Sequence, residues 1–468
     1  MAKSKSTKQI YNFDTIIIGS GPAGSTAAEM LAHGGQKVAV VEAESFGGEC
    51  LNYGCVPTKS MLSAAHLFRA VKAQKAITNS GLLKLRVSKL VAMAESNIAR
   101  TGAKELSNEL SKSGVTVLKG RGYLINSGVV DVSGESYSAR NIILAGGGEV
   151  AVPNIPGLDG LDYFTYKNFL SKVKEKAPKS VTIIGGGAVG CEYAQIFVSC
   201  GIKVNVIECA ERLISDSEPE ASVALLDEFE RCGIKVHLGA RIVSAAASST
   251  GNLKEVEVVT KDNQRVILKT EAIMVASGKK MRDGDGLSNA GIHCENGLIA
   301  TNSYCQTATS NIYAIGDAAG PYRLTSTALM QAKVAANNIL AGKNKKSYVQ
   351  LDYLPVPSCI FTMPEVAKVG ESTASLKARG VKLSESLVKL SEVTRAHLEP
   401  DMGGFVKLWA DSSSRKILGA CLVGPSASEQ ISFIALAVKS GMTSSDLANL
   451  TSVFPTWSEA ILLAASEL

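Results

Sequence analysis

Residues Phe13–Glu44 read FDTIIIGSGPAGSTAAEMLAHGGQKVAVVEAE, and this stretch decides the fold. The β-branched run from Thr15 to Ile18 reads as a buried strand of a parallel sheet. GSGPAG follows at once, then an alanine-rich helix, a glycine pair and a second apolar strand, KVAVVE, that ends in Glu42. In a GxGxxG turn the first glycine makes the tight bend and the second lets backbone approach a pyrophosphate. The third lets helix and strand pack closely, and the helix N-terminus attracts negative charge. Those glycines are Gly19, Gly21 and Gly24, and Glu42 stands where an acid would hydrogen-bond a ribose diol.

The pattern returns in Ser180–Glu208, SVTIIGGGAVGCEYAQIFVSCGIKVNVIE. Gly185, Gly187 and Gly190 fill the turn, and Glu208 closes the second strand. Two such units imply two dinucleotide sites. A carboxylate repels a 2′-phosphate, so Glu208 favours NAD(H) over NADP(H).

Between the units lies a segment rich in helix formers, Met61 to Lys112, followed by short strands at 115–118 and 129–132. The punctuated VPNIPGL stretch reads as a crossing between domains. EVEVVT and QRVILKT suggest hairpins, and NIYAIGDAAG runs a strand into a glycine–aspartate turn. From about Ser347 the chain reads as antiparallel strands with two helices behind them. The expected class is α/β: two Rossmann-like dinucleotide-binding domains and a C-terminal α+β interface domain. The first domain is expected over 1–150 and 275–346, the second over 151–274 and the third over 347–468.

Of 468 residues, 46% are apolar and 20% charged, as in ordinary soluble proteins. No apolar run is long enough to span a bilayer. The polar start, with Lys3, Lys5 and Lys8 and no apolar core, reads as a short flexible arm rather than a secretory signal, so a cytoplasmic protein is expected. The net charge of +6 owes half its excess to those lysines and does not argue for a nucleic-acid partner. The ten cysteines contain no CxxC, so no metal site is expected, and most should be buried thiols.

Cys50 and Cys55 are the exceptions. They lie in GGECLNYGCVPTKS, Gly47–Ser60, where glycines keep the sulfur accessible and a following helix N-terminus favours thiolate. Two dinucleotides and a close cysteine pair suggest electron flow from nicotinamide through flavin to a disulfide.

GGECLNYGCVPTK resembles the redox-active segment of the pyridine nucleotide–disulfide oxidoreductases, the family of dihydrolipoyl dehydrogenase, glutathione reductase and mercuric reductase. The likeness runs from about Phe13 to Leu463 and includes IYAIGDAAG and IFTMPEVAKVG. It implies FAD and NAD(H) as cofactors and a homodimer. Cys50 would exchange with substrate, while Cys55 would lie against the flavin and form a charge-transfer complex as its thiolate. Lys59 would sit near the flavin ring, pair with Glu192, and stabilise the negative charge of reduced flavin. Asp317 would bind the ribityl chain, Gly122 and Thr325 would supply nearby backbone contacts, and Gly278 would serve the nicotinamide nucleotide. Glu192 with Glu208 resembles the NAD-using dihydrolipoyl dehydrogenases. The implied reaction is FAD-dependent, NAD(H)-linked disulfide oxidoreduction of a small dithiol or disulfide, or of a lipoyl-carrying protein.

The sequence departs from the family in SVFPTWSEA. Dithiol-handling members carry a histidine before the proline and a glutamate five residues after it, and this pair reaches into the partner subunit's active site. Here Pro455 and Glu459 are present, but Phe454 holds the histidine position. A positioned general base is worth roughly 10²–10⁴-fold in rate, and phenylalanine cannot supply one. Either dithiol chemistry is weakened, or the acceptor is a quinone, a metal ion or another group that needs no base. Mercuric reductases also lack the histidine but end in a vicinal cysteine pair, whereas this chain ends ILLAASEL. In ASGKKMRDGDG, Lys279, Met281 and Arg282 replace the family's GRxPN pattern after Gly278, which leaves the coenzyme preference open.

Overall fold

Strand β1 (Phe13–Ile18) lies at the middle of the first sheet, paired in parallel with β2 (Val38–Glu42) on one side and with Glu135–Leu144 on the other. The computed structural model describes residues 10–74, 76–77, 80–173, 177–249, 251–281, 285–399 and 403–468. The expected N-terminal arm through residue 9, and Arg282, lie outside them. Contacts gather the chain into two compact units, one of 1–56, 98–149 and 279–351, the other of 57–97, 150–278 and 352–468. The three-domain division expected above follows motifs, whereas this one follows compactness.

In the first unit Thr116–Lys119 extends the sheet beyond β2, and Ile312–Ala314 joins Glu135–Leu144, all in parallel. The first half of Glu135–Leu144 instead pairs antiparallel with Val129–Val132, which pairs with Gly122–Asn126. Helix α1 (Pro22–His33) buries Ala23, Ala27, Ala28 and Leu31. These small residues let it lie close to Ile17, Val38, Val40 and Ile143 in one apolar core. Proline at its start costs nothing, because a first-turn N–H has no partner within the helix. Helix α2 (Gly48–Asn52) and helix α3 (Cys55–Ala73) follow β2.

The second unit contains a four-stranded parallel sheet in the order Lys235–His237, Lys203–Ile207, Ser180–Ile184, Ala272–Val275. The helix Ala188–Ser199 leaves Ser180–Ile184, and nine of its twelve residues are buried. Arg241–Ala247, Lys254–Val259 and Arg265–Thr270 form the expected antiparallel hairpins. The C-terminal five-stranded sheet is antiparallel, with its core shared by Ala427–Ser440, Ser444–Ala448 and Glu459–Ser466. Three helices thus contribute where two were expected, the additional one a five-residue segment.

The cysteine expectation needs correcting. Cys191, Cys305 and Cys421 are buried, and burial pushes Cys305 and Cys421 up to about 12. Cys209 and Cys294 are exposed instead. Cys209 stands just past the end of a core strand, and Cys294 sits in a two-stranded ribbon, both without a sheet face to cover them.

Candidate active site

Each glycine turn is built for close approach. Gly19 and Gly185 take positive φ, +103° and +110°. A Cβ on Gly24 would come within 1.9 Å of the Gly19 carbonyl oxygen, and one on Gly190 within 2.0 Å of the Gly185 oxygen. Gly21 and Gly187 begin their helices with no side-chain cap and no acid in the first turn, so the first N–H groups remain available to an anion. A Cβ on Gly187 would meet nothing within 4 Å, and one on Gly21 would meet only the Gly48 Cα at 4.0 Å. This is the shape and charge a pyrophosphate requires.

The strand-end acids are fixed against these turns. Glu42 accepts from Ser20 N at 2.9 Å, Ser20 Oγ at 2.7 Å and Glu44 N at 2.8 Å. Glu208 accepts from Gly186 N at 2.6 Å and Ala210 N at 2.7 Å, and from the Cys209 thiol at 3.3 Å. The hydrogen bond to Glu208 holds the Cys209 thiol above its ordinary pKa. At the carboxyl ends of β1 and its neighbour, Ile18, Leu144, Gly146, Met281 and Ala318 line a cleft, where parallel sheets take their ligands. Gly122 serves this region by leaving room, since a Cβ there would press on Ile18 at 3.1 Å. Gly278, at φ +102°, accepts from Ala151 N at 2.9 Å and leaves open space where a Cβ would be.

Gly47 adopts the left-handed conformation and caps α2. Gly48, also at positive φ, packs so closely on the first turn that a Cβ would sit 2.7 Å from the Gly21 Cα. The glycine pair therefore lets α2, which carries Cys50, begin directly against Gly21. Cys55 opens α3. Thr325 Oγ1, at the start of the helix Thr325–Ala341, donates to Cys50 Sγ at 3.2 Å and lies 3.6 Å from Cys55 Sγ. The two sulfurs can be no further apart than the sum of those distances. The sequence reading gave Thr325 a backbone contact; its hydroxyl beside both cysteines gave no signal, because 275 positions separate it from Cys50.

In the second unit, Lys59 donates to both oxygens of Glu192, at 2.9 and 2.8 Å, and lies 4.9 Å from the Phe361 ring centroid. Glu192 is 4% exposed and also accepts from Phe361 N at 3.0 Å. Gln195, one turn on, exchanges hydrogen bonds with the Met363 backbone at 2.7 and 2.8 Å. The IFTMPE segment thus holds the helix that presents Glu192, a role the sequence did not reveal. Phe454 is 68% exposed. Glu459 Oε1 accepts from Thr456 N at 2.6 Å, so this carboxylate reaches back to the segment that leads into its own helix.

Lys279 also lies where the sequence gave no hint. Its ammonium bonds Asp317 Oδ2 at 2.8 Å and Glu49 Oε2.

Two dinucleotide cradles and a thiol pair on one chain define a nicotinamide- and flavin-linked disulfide oxidoreductase. Residues 13–337 match the family described as pyridine nucleotide-disulphide oxidoreductase, and 356–465 match that family's dimerisation domain. The chain is 34% identical over 471 residues to a dihydrolipoyl dehydrogenase of Chlamydia muridarum, covering 97% of each. It is 31% identical over 457 residues to a mercuric reductase of Bacillus cereus, covering 97% of this chain and 71% of the other. The fold matches the HOCl-induced flavoprotein disulfide reductase RclA of Escherichia coli with a TM-score of 0.83 at 23% identity, over 97% of this chain and 99% of that one. The chain belongs to the pyridine nucleotide–disulfide oxidoreductases, flavoenzymes that use FAD and a pyridine nucleotide. No helix among the described residues is long and apolar enough to cross a membrane.

Proposed function

We propose that this enzyme moves an electron pair between NAD(H) and a small dithiol or disulfide of the lipoyl type through FAD and the Cys50–Cys55 pair, as a cytoplasmic homodimer. The observation that carries this reading is the pair of thiols gathered at Thr325 Oγ1 beside the first glycine turn. When bound, FAD supplies the relay between hydride chemistry and thiol chemistry. The first turn, Glu42 and the Asp317 segment would hold FAD. The second turn, Glu208 and Gly278 would hold the nicotinamide nucleotide, with Glu208 favouring NAD(H). Cys50 exchanges with substrate, Cys55 completes the disulfide, and Thr325 supplies a hydrogen bond that favours thiolate at Cys50. The Lys59–Glu192 pair holds a positive charge in a fixed place.

Proton handling distinguishes this chain from its dithiol-handling relatives. Phe454 accepts no proton, and the Glu459 carboxylate is engaged by the Thr456 N–H. Dithiol oxidation therefore depends on substrate that arrives ionised, and NADH formation from NAD⁺ and dihydrolipoamide should climb steadily with pH through the alkaline range. Phe454→His is expected to raise the rate near neutral pH by about 10²-fold, the lower end of what a general base supplies. An unchanged rate in that variant, or fast turnover at neutral pH in the parent, would sink this account. The second reading is an acceptor needing no base, such as a quinone or a metal ion. It is favoured by the exposed apolar pair Val453 and Phe454, 77% and 68% exposed. A dithiol rate that stays low at every pH, beside rapid NADH-driven reduction of a quinone, would select it.

A further inference from the structure

Helix α2 carries Cys50, yet none of its five residues is buried. Apolar burial therefore does little to hold it. Asn52 Nδ2 donates to Phe46 O and Gly48 O, both at 2.9 Å, which ties the helix to its own entry. Links to distant sequence come through Thr325 on Cys50 and through Glu49, the residue immediately before Cys50. Lys279 joins Glu49 to Asp317, and the three side chains are 23%, 20% and 19% exposed. Burial alone would lower the Lys279 pKa, but Asp317 and Glu49 outweigh it and hold the pKa above its ordinary value. Arg323 Nη1 donates to the Lys279 carbonyl at 2.6 Å, which steadies the backbone beneath the ammonium.

We propose that Lys279 is a positioning residue for the redox pair: its ammonium clamps α2 to the Gly316–Ala318 turn and offsets the negative charge of Glu49 beside Cys50. This rests on the reading in which Cys50 and Cys55 carry the electrons. With the ammonium removed, the carboxylates of Glu49 and Asp317 face each other without a cation between them. α2 then loosens, and a thiolate at Cys50 must form beside a carboxylate that has lost this cation. Like charge disfavours the ionised form, so Cys50 ionises at higher pH.

The test is timed iodoacetamide alkylation of the reduced full-length protein from mildly acid to alkaline pH, with label at Cys50 measured by peptide mass. The buried Cys305 and Cys421 in the same samples report any general unfolding, since they label only when the fold opens. Lys279→Met should slow Cys50 labelling near neutral pH about tenfold, the size of a one-unit shift. Lys279→Arg should restore it, and Lys279→Met with Glu49→Gln should recover most of it. Glu49→Gln alone keeps the ammonium and should speed labelling, a change of opposite sign that survives even if Lys279→Met folds poorly. Unchanged labelling in Lys279→Met, slower labelling in Glu49→Gln, or no recovery in the double variant overturns the clamp. Disulfide turnover that survives Cys50→Ser overturns the redox-pair reading beneath it. If Cys50→Ser silences turnover while Lys279→Met labels normally, the clamp alone fails.

Discussion

The two glycine turns have nearly the same backbone and different surroundings. Their first glycines have φ +103° and +110°, and the close approaches behind their third glycines are 1.9 and 2.0 Å. Against Gly21 lies the start of α2, admitted only because residue 48 is glycine, whereas nothing stands within 4 Å of a Cβ at Gly187. Ser20 grips Glu42 with both its N–H and its hydroxyl, but Gly186 offers Glu208 only an N–H. The first turn thus belongs to a built-in assembly with the redox helix, as suits a resident cofactor. The second is left open, as suits one that comes and goes. A turn motif fixes how a pyrophosphate is held, and its neighbours decide how long.

The largest expected effect tests that contrast directly. Gly187→Leu places a side chain in open space, so it should fold, stay yellow, and lose NADH-driven flavin reduction by at least about 10²-fold, the scale expected when a substrate is misplaced. Gly21→Leu should instead purify without flavin. Absorbance spectra with stopped-flow reduction decide both, and a yellow Gly21→Leu protein would break the comparison.

A smaller effect belongs to the acids. Glu208→Gln removes the charge that opposes a 2′-phosphate, and should reduce the NADH:NADPH ratio of kcat/KM about tenfold, or about 1.4 kcal/mol. Glu42→Gln should leave that ratio alone and speed FAD loss on dialysis. A shifted coenzyme ratio in Glu42→Gln would show that the assignment of the two turns is reversed.

An effect on stability rather than on turnover lies in α3, the helix that follows Cys55. Burial, with a contribution from the Arg69 charge, lowers His66 from 6.5 to about 4. The unfolded chain therefore binds the additional proton, so this contribution to stability is complete above about pH 6.5 and is lost as pH falls toward 4. Its loss should amount to roughly 3 kcal/mol at 1.36 kcal/mol per pKa unit. His66→Phe should flatten urea midpoints across that window, and an unchanged slope would show that His66 is not the group responsible.

Legibility followed sequence distance. β1, α1 and β2 were readable because a β-branched run, three spaced glycines and a closing acid state their geometry within thirty residues. The chemistry of Cys50 and Cys55 was readable for the same reason. Lys279 was read as a departure in nicotinamide binding, but its ammonium is on Glu49 and Asp317, partners 230 and 38 positions away. The expected burial of Cys209 and Cys294 failed because residue type records a preference, while a strand's end and a surface ribbon leave nothing to cover a thiol.

By itself the sequence marked two glycine turns of the phosphate-binding pattern, a close cysteine pair, and a phenylalanine at the position where dithiol-handling members of the family carry a histidine. These are properties of short segments, set by backbone freedom and side-chain chemistry. Only the tertiary structure decided that the Thr325 hydroxyl meets both sulfurs, that Phe361 and Met363 hold the helix of Glu192, and that Lys279 binds the acid beside Cys50. Such contacts form where the sheets bring remote segments within hydrogen-bond reach, and no local pattern encodes which segments will meet.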